Sequence, residues 1–146
     1  MIKMVAFDVF GVVISEGHMI SNALMPLLPK HASKVLVKSF YNPYTRGEIS
    51  EQSFWQGIGV SEYADIRHTF LNSFVLDEDL PQVVSQLSDK YALSILSNLG
   101  SAWADELMLK FDFENTFKPI IFSGKVGFEK PNPDNYKLLI AKSGLK

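Results

Sequence analysis

The sequence contains no cysteine, which removes disulfides, thiolate zinc sites and a cysteine nucleophile from consideration. It has no uncharged apolar run of membrane-spanning length. The apolar run before Asp8 is too short for the core of a signal peptide. Lysine and arginine are scattered, and the net charge is -2. That balance speaks against a nucleic-acid partner held by phosphate neutralisation. Internal repeats and low-complexity segments are missing. His18, His31 and His68 lie far apart without metal-ligand spacing, and read as surface or cap residues. These absences leave a soluble cytoplasmic protein as the expectation, with no membrane or nucleic-acid partner. What is present is a chain of 146 residues, 47% of them hydrophobic. That is enough to bury a core without cross-links.

The order of patterns along the chain predicts an α/β fold. Ile2 to Phe7 is a short apolar run, apolar on both faces, as in a buried parallel strand. From about Ser15 to Asp79 the spacing becomes helical, with no convincing strand. "HMISNALMPLLPKH" is interrupted by Pro26 and Pro29, "SKVLVKSFY" is helical, and "NPYTRGE" reads as a loop. Ser50 and Ser61 are expected N-caps for the next two helices. After Pro81 helices and strands alternate: "QVVSQLSDKY" helical, "ALSILSN" a strand, "AWADELMLKF" a helix capped by Ser101, "KPIIFSG" a strand closed by Gly124. Asn132 with Pro133 then opens a last helix that Gly144 ends. The expected organisation is a Rossmann-like parallel-sheet core at 1–14 and 81–146, with an inserted α-helical cap at 15–80.

The stretch "VAFDVFGVVI" carries one charge, Asp8, in an otherwise apolar setting. An ionised carboxylate in apolar surroundings needs compensation. In open parallel sheets, ligands bind beyond the carboxyl ends of the strands. Asp8 stands at the end of the first strand, Ser97 and Asn98 at the end of the second, and Lys130 just past the third. Together they would put a carboxylate, a hydroxyl and a lysine in one crevice. A carboxylate can form a covalent intermediate, and a nearby lysine favours its charged form. The tamer reading makes Ser97 and Asn98 turn formers and Lys130 a solvated lysine.

In this order the motifs resemble those of the haloacid dehalogenase-like (HAD) hydrolase superfamily. An apolar strand ending in Asp is "MVAFDVFGVVI", a strand ending in Ser is "LSILSN", and a lysine followed by proline lies in "SGKVGFEKPNPDNY". "YTRGEISEQSFW" is similar to the cap of a branch containing small sugar-phosphate phosphatases. The resemblance implies that Asp8 is the nucleophile and that Ser97 holds the transferred group. It implies that Asn98 supports the same turn and that Lys130 orients Asp8. It also implies Mg²⁺ bound by Asp8 and the Phe10 carbonyl, with a small phosphorylated metabolite as substrate.

Two departures qualify that implication. The family's phosphatases mostly carry a second Asp two residues after the nucleophile, where this chain has Phe10. An aromatic residue there is similar to the dehalogenase members, which typically hold the halide or carboxylate with an arginine early in the cap. The only arginine before residue 60 is Arg46, in the phosphatase-like loop. A Mg²⁺-dependent phosphatase is therefore the first expectation. A metal-free 2-haloacid dehalogenase is the second, and an inactive HAD-like fragment serving as an interaction module the third. The sequence also reaches Lys146 without the acidic strand end that completes the family's Mg²⁺ site. A C-terminal truncation is expected on that ground, with weak Mg²⁺ binding. It would leave the first strand as a sheet edge available for self-association. Arg46 and Glu48 read as an exposed loop pair. Trp55, Trp103, Phe111, Phe113 and Phe117 read as packing residues.

Overall fold

The computed structural model describes residues 1–145. Three short strands form a parallel sheet: β1 (Met4–Phe7), β2 (Ala92–Ser97) and β3 (Ile120–Phe122), in the order β1-β2-β3. Phe7 stands beside Ile95, and Ser97 beside Phe122. All three carboxyl ends therefore lie along one rim.

Alternation along the strands divides the apolar residues between two layers. Val5, Phe7, Leu93 and Ile95 face the large core. Met4, Leu96 and Ile121 pack with Leu139 of α7 (Pro133–Ser143) on the other side. β2 is buried almost throughout, as a central strand must be, whereas Ala6 of β1 is exposed. Among the described residues β1 pairs with β2 alone, so its second edge is unpaired.

Between β1 and α4 (Leu80–Ser88) the chain is helical, as expected. It holds a π-helical turn at Met19–Leu24, a 3₁₀ turn at Met25–Leu27, α1 (Lys34–Thr45), α2 (Glu51–Gly57) and α3 (Ala64–Asn72). Ser50 caps α2 by accepting from the Ser53 N–H at 3.1 Å. Asn132 caps α7, and Gly144 ends it with φ of 67°. Other boundaries differ from the sequence reading. α1 runs through Pro43, because Tyr44 and Thr45 are both buried and hold the last turn in place. A proline there removes one hydrogen bond from a turn that is ending anyway. α3 starts at Ala64 rather than directly after Ser61. Ser101 is the first residue of α5 (Ser101–Lys110), with Gly100 in the cap position. Ser123 and Gly124 turn directly into a short helix, α6 (Ser123–Val126), instead of closing a strand.

The helical segment shares its apolar interior with α5. Trp103 of α5 lies 5.3 Å from Phe54, 5.0 Å from Phe70 and 5.1 Å from Tyr44, ring centre to ring centre. Offset and edge-on aromatic pairs of this kind each add about 0.5–1.5 kcal/mol beyond burial. At the edge of that cluster the Glu51 carboxylate accepts from Trp103 Nε1 at 2.7 Å, Trp55 Nε1 at 3.1 Å and Arg67 Nε at 2.6 Å. A carboxylate this enclosed is tolerable because every neighbour is a donor. Phe113 and Phe117 are core residues, and Phe111 packs against them partly exposed. No helix among the described residues is long and apolar enough to cross a membrane.

Candidate active site

The strand-end residues meet. Asp8, Ser97, Asn98 and Lys130 all line one cleft of about 340 Å³ at the carboxyl rim of the sheet. Asp8 directly follows β1. The chain then folds into a tight turn, in which Val13 and Ile14 both donate to the Val9 carbonyl. Gly11 makes the turn possible: its φ is +76°, and a Cβ there would sit 3.0 Å from the Gly17 Cα. The expectation of a carboxylate sunk among apolar residues is corrected here. Phe7 and Val9 are buried, but the Asp8 side chain is 46% exposed at the mouth of the cleft. Its Oδ1 accepts from the Val9 N–H at 2.8 Å and faces Lys130 Nζ at 3.2 Å. Oδ2 accepts no hydrogen bond from another described residue.

Lys130 is fixed from two sides. The Asn98 side chain accepts from the Lys130 N–H at 2.8 Å and donates to the Lys130 carbonyl at 3.1 Å. One amide thus clamps both backbone groups of the lysine. The neighbouring Glu129 accepts from Thr45 Oγ1 at 2.8 Å and from Arg46 Nη1 at 3.5 Å. The loop that carries Lys130 is therefore tied to the end of α1. A second tie lies just behind it. Ser123 Oγ donates to the Thr45 carbonyl at 2.5 Å and accepts from the Leu99 N–H at 2.9 Å. Ser97 is buried and lines the cleft, and its hydroxyl is unclaimed by any other described residue.

The opposite wall comes from the helical segment. Lys38 and Tyr41 are one turn apart on α1 and both face the cleft. The Tyr41 ring stacks on Trp103. Burial holds its hydroxyl protonated well above the ordinary phenol range, and Tyr44, Glu129 and Asp8 add to that. His18, read from the sequence as a surface or cap residue, also lines the cleft. Arg46 does not line it and pairs with Glu48 at 2.7 Å instead, the exposed loop pair that was expected. His31 bonds the Gly59 carbonyl, and His68 bonds Asn72. Phe10 lines the cleft with its ring against Phe74.

Asp8 is the only carboxylate lining the cleft. Among the described residues no group of three or more His, Cys, Asp or Glu side chains could hold a metal. Mg²⁺ commonly keeps several waters and takes one or two carboxylates with substrate phosphate oxygens. One exposed carboxylate in a cleft that Phe10 also lines fits such a part-hydrated ion and not a caged one.

The chain matches no protein-family model and no curated protein by sequence. By structure it matches a HAD family enzyme from Bacteroides thetaiotaomicron, crystallised with magnesium and inorganic phosphate. The TM-score is 0.76 at 18% identity, over 99% of this chain and 80% of that one. The fold is that of the HAD-like hydrolases. It also aligns with a HAD-like family hydrolase from Porphyromonas gingivalis, at TM-score 0.69 and 21% identity, over 100% of this chain and 78% of that one. An L-2-haloacid dehalogenase from Xanthobacter autotrophicus gives TM-score 0.67 and 18% identity, over 100% of this chain and 66% of that one. The HAD-like fold accounts for the strand order and for the rim on which the cleft opens.

Proposed function

We propose that the protein is a phosphomonoester hydrolase that works through an aspartyl-phosphate at Asp8. The observation that carries this reading is the convergence of Asp8, Ser97 and Lys130 in one cleft, with one Asp8 oxygen engaged and the other free. Asp8 Oδ2 attacks phosphorus, the ester oxygen leaves, and water then hydrolyses the acyl phosphate. Lys130 Nζ holds Oδ1 and offsets the charge that gathers on the phosphoryl oxygens. The Ser97 hydroxyl donates to one of them. Asn98 keeps Lys130 at its station through the backbone clamp. Asp8 and the Phe10 carbonyl would hold Mg²⁺, which when bound supplies further neutralisation of phosphoryl charge. The neighbour that binds magnesium and inorganic phosphate supports this substrate class.

Residues 15–80 serve as the cap, giving the cleft its Lys38, Tyr41 and His18 wall. The substrate is a phosphorylated metabolite small enough for about 340 Å³. A second reading rests on Phe10: an aromatic ring stands where an acid would assist phosphoryl transfer, as in a 2-haloacid dehalogenase. Asp8 would then attack carbon and expel halide. A neighbour structure with chloropropionic acid covalently bound supports that chemistry for its own protein.

One assay set separates the readings. Phosphate release is measured from p-nitrophenyl phosphate and sugar phosphates with and without Mg²⁺, beside chloride release from 2-chloropropionate. Phosphate release that Asp8→Asn abolishes is expected. Chloride release alone would favour the dehalogenase, and no turnover of any kind would leave a non-catalytic interaction module.

A further inference from the structure

Hydrolysis of an alkyl phosphate needs a proton for the departing oxygen, and later a base for the attacking water. The cleft shows no second carboxyl group for either task, since Asp8 is its only carboxylate and Phe10 presents a ring. The other ionisable side chains in the cleft are His18, Lys38, Tyr41 and Lys130. Lys130 is committed to Asp8. The Tyr41 ring is stacked on Trp103, and burial disfavours its phenolate. A lysine in water gives up its proton about four orders of magnitude less readily than an imidazolium. That leaves an imidazole, the one group here that both gives and takes a proton near neutrality.

His18 is also placed by the fold. Glu16 Oε1 accepts from the His18 N–H at 2.6 Å and from Asn22 Nδ2 at 3.1 Å, which pins the turn entering the π-helical segment. The His18 ring itself bonds no other described residue, so neither nitrogen is occupied by structure. His31 and His68 are both engaged elsewhere.

We infer that His18 is the general acid and base of the hydrolysis, standing in for the carboxyl group that Phe10 displaces. This rests on the phosphatase reading above. In the first step Asp8 Oδ2 forms the bond to phosphorus. The phosphorus–oxygen ester bond breaks, and the imidazolium gives its proton to the departing oxygen. In the second step neutral His18 takes a proton from water as the water oxygen attacks phosphorus, which frees Asp8 and restores the imidazolium. The charged side chains that share the cleft with His18 are Asp8 and Lys130 from the sheet rim and Lys38 from α1, with Tyr41 on the same wall, and Glu16 bonds the His18 backbone N–H.

The test compares leaving groups. An alkyl phosphate such as glycerol phosphate departs as an alkoxide and needs the proton, whereas p-nitrophenyl phosphate departs as a stable phenolate and does not. In His18→Gln, single-turnover release of the alcohol from the alkyl ester should fall on the order of 10²-fold, while single-turnover release of nitrophenolate changes little, because the hydrolysis of the aspartyl-phosphate that both esters share follows that step. His18 is exposed, so circular dichroism of the variant should match the wild type. Equal losses of single-turnover release from both esters, or no loss on either, would overturn the role of His18 while leaving the hydrolase standing. Wild-type protein that releases phosphate from neither ester would remove the hydrolase reading and this inference with it.

Discussion

Two carboxylates in this molecule have opposite surroundings. Glu51 is 13% exposed and takes three donors, two indoles and a guanidinium, at the junction of α2, α3 and α5. Asp8 is 46% exposed, with one oxygen held by Lys130 and a backbone N–H and the other free. All three donors of the first converge on Oε1, and the carboxylate acts as a joint between helices. The second meets one side chain and one backbone N–H at the mouth of the cleft. The contrast separates a charge that holds helices together from one that the proposed function puts to chemistry.

Substitutions should divide along the same line. The largest effect is expected for Asp8→Asn: phosphate release falls by on the order of 10³-fold or more. Urea unfolding should meanwhile show stability within about 0.5 kcal/mol of the wild type, as for an exposed position. Glu51→Ala should do the reverse. It strands two indole N–H groups and leaves Arg67 with Glu106 alone, so unfolding should show a loss of about 3 kcal/mol. A stable Glu51→Ala, or an unstable Asp8→Asn, would break the comparison. Asn98→Ala comes next. With its clamp gone, Lys130 drifts, and kcat/KM should fall by up to about 10²-fold. In an Asp8→Asn background the same change should cost nothing further, the sign of coupled residues. The smallest effect concerns Asn135, which is buried in α7 with neither its Oδ1 nor its Nδ2 bonded. Asn135→Leu should raise the denaturant midpoint, by about 1 kcal/mol.

The sequence made the rim of the cleft readable because Asp8, Ser97 and Asn98 stand at strand ends, which sit together in a parallel sheet, and Lys130 comes from the loop beyond β3 and α6. Asp8, Ser97, Asn98 and Lys130 could be named for that reason. Local capping chemistry was equally readable at Ser50, Asn132 and Gly144, since each cap is decided within three residues. Contacts set by tertiary packing were not. The Glu51 hub joins residues 16 and 52 positions apart. The tie from Thr45 to Glu129 spans 84. α1 crosses Pro43 because of what Tyr44 and Thr45 bury, which no local rule contains. His18 had no partner at ligand spacing, and its signal is purely spatial: a turn after β1 returns the chain to the Asp8 mouth. Asp8 itself was expected among apolar side chains, but the strand ends at Phe7 and the next residue already faces the opening.

The most direct test of the account is to trap the intermediate. Protein mixed with substrate is acid-quenched and reduced with borohydride, which converts an aspartyl-phosphate to homoserine, and its peptides are then mass-mapped. The account predicts homoserine at position 8 and at no other aspartate. Rapid phosphate release with Asp8 unmodified, or with the label on a different residue, would contradict it.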